Sequence, residues 1–169
     1  MATDIRATHE YPHPATEVAS ALVDRAYLEA RLAELGGLDA ALVTHEITAD
    51  GNGRVVLRQG IPSDRLPSFV RTLVPGHLVI EREETWQRDG ETARGAVHAT
   101  VPGAPATIGG TMEIAPAGPD ACRSEVRLRV EVSIPFIGGK VEKVIIDQLR
   151  RLLTAENEFT TDWLAQNQR

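Results

Sequence analysis

The chain has a single cysteine, Cys122, in 169 residues. One thiol excludes an intramolecular disulfide and a cysteine-built zinc site. Cationic excess is also missing, since the formal net charge is −6. That balance excludes a nonspecific nucleic-acid binder, which should be basic. It also argues against an anionic membrane surface as the main partner, a local basic patch aside. No apolar run approaches the ~20 residues that span a bilayer, so stable membrane insertion is not expected. The opening residues "MATDIRATHEY" carry neither a charged leader nor an apolar stretch. The expectation is therefore a cytoplasmic protein without a signal peptide.

Repeats, low-complexity linkers and boundary signals are absent as well, and one domain over residues 1–169 is expected. The glycine clusters "GGT" and "IGGK" lack the spacing of a phosphate cradle. Ser63, Ser68 and Ser133 lack the surroundings of a nucleophile elbow. Neither a cofactor site nor a set of catalytic residues is expected from these patterns. Oligomeric state is not assigned.

What is present is alternation. "TDIRATHEY" (3–11) puts Ile5, Ala7, His9 and Tyr11 on one strand face. "HPATEVASALVDRAYLEARLAELG" then reads as helix, with Pro14 in the first turn, Asp24 as a break and Gly36-Gly37 as a stop. Strands over 38–49 and 54–61 flank "DGNG", a hairpin turn. Residues 65–76, with prolines near both ends, read as a short helix or ordered loop. "HLVIEREETWQR" and "ETARGAVHATVPG" meet at Asp89-Gly90, and "AGPDA" joins "ATIGGTMEIAP" to "CRSEVRLRVEVSIP". In that last strand Ser124, Val126, Leu128, Val130, Val132 and Ile134 alternate with charged residues. One face is apolar and the other solvated, the habit of an antiparallel sheet.

Such a face needs a cover. Ile137, Val141, Val144, Ile145, Leu149, Leu152, Leu153, Phe159 and Trp163 recur at helical spacing near the C-terminus. The stripe is too broad for a coiled-coil seam, and Gln148 and Asp162 break a strict heptad. The long helix is therefore placed on the sheet of its own chain.

This order resembles the helix-grip fold of the START-like superfamily, which includes birch-pollen-allergen relatives, lipid-transfer domains and polyketide cyclases. "EYPHPATEVASALVDRAYLEARL" and "VSIPFIGGKVEKVI" resemble an uncharacterised actinobacterial branch of that superfamily. The resemblance implies an α+β fold: a curved antiparallel sheet of about seven strands gripping a long C-terminal helix. It also implies a cavity between them for a hydrophobic small molecule such as a lipid, sterol or polyketide. No catalytic residues come with it.

Strand phase nominates the lining. Ile80, Arg82, Glu84 and Trp86 come from one strand, and Val97 and Ala99 from the next. Ile108, Gly110 and Met112 follow, then Leu128 and Val130, with Ile145 and Leu149 from the helix. Gly95, Ala99 and Gly110 leave space where larger side chains would fill a core, although glycines also mark strand bends. Arg82 and Glu84 face inward by phase, where they would pair, meet a ligand or, at a bulge, escape to solvent. His9 and His45 share a phase with apolar neighbours (Val43 and Ile47 for His45), and the helix-grip arrangement implies adjacent strands. Two histidines without a third ligand are more simply hydrogen-bonded core residues than a metal site. Between the last strand and the helix, Pro135 to Gly139 form a turn that either is fixed or lets the helix shift.

The favoured function is noncatalytic carriage or sensing of a hydrophobic small molecule. The alternatives are a cyclase or aromatase using Arg82, Glu84, His9 or His45, and a co-chaperone-like interaction module with a filled core.

Overall fold

Tight turns set the register of the sheet. The computed structural model describes residues 2–74 and 76–167. Strands β1 (Ala2–Tyr11), β2 (Ala41–Ile47), β3 (Gly53–Ile61), β4 (Leu78–Asp89), β5 (Thr92–Thr100), β6 (Ala106–Pro116) and β7 (Cys122–Val132) form one sheet. Its order is β1-β7-β6-β5-β4-β3-β2, and every pairing is antiparallel. The turn between β2 and β3 needs its glycines: Gly51 has φ +81°, and a Cβ on Gly53 would collide with the Glu46 carbonyl. The expected α+β helix-grip architecture is what the chain forms.

Helices α1 (Ala15–Leu22) and α2 (Arg25–Leu35) follow β1. Asp24 separates them by capping α2, its carboxylate accepting from the Tyr27 N–H at 3.0 Å. The segment after β3 is a 3-10 turn, Ser63–Arg65, and a single helical turn, α3 (Ser68–Arg71). Pro62 and Pro67 each stand immediately before one of these turns.

Helix α4 (Gly138–Gln166) runs roughly 40 Å at 1.5 Å per residue. It approaches the sheet most closely at β7 and β1 and also meets α1 and α2. Ile134 and Pro135 accept the N–H groups of Gly138 and Ile137, at 3.0 and 2.9 Å, so the joint is a hydrogen-bonded turn. The core lies between the inner sheet face and these helices, with Val18, Tyr27, Leu28, Val55, Leu57 and Val130 fully enclosed.

Two expectations about β2 are corrected. The strand starts at Ala41, because Leu38 and Asp39 lie in a turn where Leu38 donates to the Gly60 carbonyl at 3.2 Å. A register shift between Leu42 and Thr44 leaves Val43 52% exposed, whereas phase alone turned it inward. The partner of β1 is corrected too: β1 and β2 are opposite edges of the sheet, so His9 and His45 do not lie on neighbouring strands.

Candidate functional site

The inward phase of β4 brings Arg82 and Glu84 under the helices, where they meet one residue from α2 and one from α4. Arg82 Nε lies 3.0 Å from Glu84 Oε2, and Arg82 Nη1 donates to Glu156 at 2.9 and 3.1 Å. Arg31 Nε lies 3.4 Å from Glu156 Oε2, and its Nη2 lies 3.7 Å from Glu84 Oε2. The result is a closed set of two cations and two anions. Arg31, Glu84 and Glu156 have side chains 4%, 5% and 7% exposed, and Arg82, at 13%, is the least enclosed member.

Charges enclosed this way survive only by pairing. Burial alone would raise the Glu156 pKa, but Arg31 and Arg82 beside it prevail and hold it below its ordinary value. Burial works against the Arg31 charge, and Glu156, Tyr27 and Glu84 outweigh it, raising that pKa further. The pairing is imperfect: Arg31 Nε and Nη2 and Glu84 Oε2 are enclosed without an aligned hydrogen bond. A hydroxyl network backs the set. Tyr27 and Thr160 share a 2.6 Å contact between hydroxyls, and Thr160 donates to the Glu156 carbonyl at 2.7 Å. Tyr11 donates to Asn157 Oδ1 at 2.8 Å.

Around this polar centre the nominated lining divides in two. Trp86, Val97, Ala99, Ile108, Met112, Leu128 and Val130 are buried with Glu84. Ile80, Gly110, Ile145 and Leu149 are only half-buried, and so are Ala7 and Val126, although all belong to inward-facing phases. Polar anchoring of α4 lies on either side of this half-open stretch. Beyond it stands the Glu156 network. Before it, the fully enclosed Glu142 accepts from Thr3 Oγ1 at 2.8 Å and from the Val132 N–H at 3.2 Å.

The glycine argument for empty space is corrected. A Cβ on Gly110 would strike the Arg127 carbonyl, so this glycine permits close approach of β7. A Cβ on Gly95 would sit 2.9 Å from the Trp86 ring, which already covers the position. Those two residues report strand contact and aromatic cover. The half-buried inward positions are the relevant sign of openness.

The other nominated chemistry does not converge. The His9 ring packs edge-on to Tyr11 at 4.6 Å, and His45 Nε2 makes a 2.7 Å hydrogen bond with the Val23 carbonyl. Burial pushes the Cys122 thiol up to about 11, which suits an inert core residue. On the outer face, a shallow depression between Arg54 and Arg94 is floored by Thr85, Gln87 and Ala96. Both arginines pair with acids there, Arg54 with Glu83 at 2.6 Å and Arg94 with Glu113 at 3.1 Å. It is a solvated sheet face.

Sequence reasoning missed Arg31, Glu142 and Glu156. Arg31 stands four residues after Tyr27 and three after Leu28, both enclosed, so the apolar phase of α2 passes through it. On α4, Ile145, Leu149, Leu153, Phe159 and Trp163 are partly buried and pack against the core. The buried positions of the same helix include Glu142, Ile146, Glu156, Thr160 and Leu164. A charged residue falling in the buried phase is the signal that was available.

The family described as "Protein of unknown function (DUF2505)" matches residues 6–164, and the chain belongs to this family. An uncharacterized protein of Mycobacterium tuberculosis, Rv0481c, is 37% identical over 168 residues, 94% of each chain. Among solved structures, the Zhui aromatase/cyclase from Streptomyces sp. R1128 is similar with a TM-score of 0.66 at 9% identity, covering 100% of this chain and 97% of that one. A START superfamily protein from Mycobacterium smegmatis has a TM-score of 0.57 at 17% identity, covering 96% and 97%. These likenesses show the START-like fold.

Proposed function

We propose that this DUF2505 protein binds a hydrophobic small molecule between the inner sheet face and the middle of α4, and does not transform it. The observation that carries this reading is the set of inward yet half-open apolar positions, Ile80, Val126, Ile145 and Leu149. Arg82, the least enclosed member of the charge cluster, supplies a polar contact for one end of the ligand. The lining nominated by strand phase, from Trp86 and Val97 through Ile108, Met112, Leu128 and Val130, forms the apolar wall in this reading. A cytoplasmic carrier or sensor fits these features.

Binding without chemistry is favoured because the candidate acids and bases are committed elsewhere. Glu84 and Glu156 pair with arginines, and His9 and His45 stand on opposite edges. A general base needs a reachable lone pair beside the substrate.

The test is Ala99→Leu, at a position flanked in register by Arg82 and Ile108. Binding of a fatty-acid or polycyclic fluorescent probe should fall while the melting temperature holds or rises. A filled core would give two different results: no probe binding by the unmodified protein, and an overpacking loss of about 1–3 kcal/mol. That pair would overturn the reading.

A further inference from the structure

Two features that each carry a local cost meet where β7 turns into α4. Phe136 has φ +69° and is fully exposed. A bulky aromatic in the left-handed region is strained, and this one offsets the strain with no packing. Four residues on, Lys140 stands in the first turn of α4, which carries no acid. The helix dipole disfavours a cation there. Lys140 and Lys143 are the chain's two lysines, both exposed and both in the opening turns of this helix.

The surrounding loops extend the pattern. Lys140 Nζ lies 4.3 Å over the ring of Phe69, which ties α3 to the start of α4. Leu73, four residues after Phe69, is 39% exposed. Exposed Arg65 and Arg71 flank Phe69 in sequence, and with Lys143 they pair with no acid among the described residues. The acids in these segments are Asp64 and the enclosed Glu142. By contrast, outer-face arginines such as Arg54, Arg94 and Arg127 are paired. A protein of net charge −6 thus gathers unpaired cations around protruding apolar side chains at one end.

We propose that this end docks peripherally on an anionic lipid bilayer. Phe136 and Leu73 enter the interface, and Lys140, Lys143, Arg65 and Arg71 meet the headgroups. An aromatic ring favours the boundary of acyl chains and headgroups, and surrounding cations supply the electrostatic half of the attraction. Charge complementarity selects this occupant, and the proposal is independent of what α4 covers.

The experiment is flotation of the full chain with phosphatidylglycerol–phosphatidylcholine vesicles, against phosphatidylcholine alone. The protein should float with the anionic vesicles only, and raised ionic strength should release it. Lys140→Gln/Lys143→Gln should weaken binding about thirtyfold, the factor implied by roughly 1 kcal/mol per lysine. Phe136→Gly should also weaken it, with a melting temperature that holds or rises because the strain is relieved. The melting curve separates lost docking from lost folding. Failure of the unmodified protein to float would overturn the proposal, as would equal binding to neutral vesicles. Variants that bind like the unmodified chain would also overturn it.

Discussion

From Glu156 to Thr160, α4 is held by an ion pair to Arg82 and by hydroxyl and amide bonds to Tyr27 and Tyr11. Between Ile145 and Leu153 it is held by the buried Ile146 and by half-buried apolar side chains, with no side-chain hydrogen bond to the sheet among the described residues. The same helix therefore has a stretch whose geometry is dictated and a stretch that only leans on its neighbours. Directional contacts fix position, whereas apolar contacts tolerate a change of occupant. A helix fixed on both sides of a loose middle can cover a variable space without losing its register.

The sharpest way to break this contrast is to remove the fixed part. Glu156→Ala leaves Arg31 and Arg82 facing each other with one carboxylate between them. The expected cost is about 3–5 kcal/mol in urea unfolding. Arg82→Ala combined with Glu156→Ala should cost less than the sum of the single changes. Additive losses below about 0.5 kcal/mol each would mean that the four charges are not coupled.

Acid should reach the same contact. The Glu156 pKa is lowered in the folded protein, its carboxylate being favoured by Arg31 and Arg82 despite burial. A depressed folded value contributes stability that is present above the unfolded value near 4.5. That stability is lost as the pH falls through the folded value. Glu156→Gln should therefore lower stability at neutral pH and flatten its decline on acidification. An unchanged acid slope would assign the decline to other carboxylates.

The anchor near the start of α4 should matter less, because its partners are neutral. Glu142→Ala would leave the Val132 N–H and the Thr3 hydroxyl without their acceptor, at about 1–3 kcal/mol. Glu142→Gln keeps one oxygen and should cost less. Equal losses from the two changes would show that the charge, rather than the acceptor, is what the site uses.

Legibility in the sequence follows the same division. Alternation and turn residues located every strand, and the Asp24 break was visible because capping is a local property. The inward phase of Arg82 and Glu84 was legible for the same reason. What was hidden depended on the third dimension. Helical phase puts Glu156 on the inner face with Leu153 and Thr160, but its partners are settled only when α2 and β4 bring Arg31 and Arg82 against it. Val43 was misplaced because a bulge changes phase without a glycine or proline to announce it. Gly110 was misread because a missing side chain looks alike whether space or a neighbouring backbone lies beyond it.

The smallest effect is expected in the loose middle. Leu149→Ala removes methylenes that are partly solvated already, so little transfer energy is lost and no sealed void is left. The expected cost is at most about 1 kcal/mol. Leu28, fully enclosed on α2, provides the reference: Leu28→Ala should cost about 2–5 kcal/mol by creating a cavity that the surroundings cannot close. Probe binding should show the opposite order. Leu149→Ala should weaken it, because the proposed site places this side chain against the occupant, while Leu28→Ala should leave it nearly intact wherever the protein remains folded. If Leu149→Ala proves as destabilising as Leu28→Ala, the middle of α4 is close-packed against the sheet. The room for a ligand there would then be gone, and the polar anchors would be fastening an ordinary core helix.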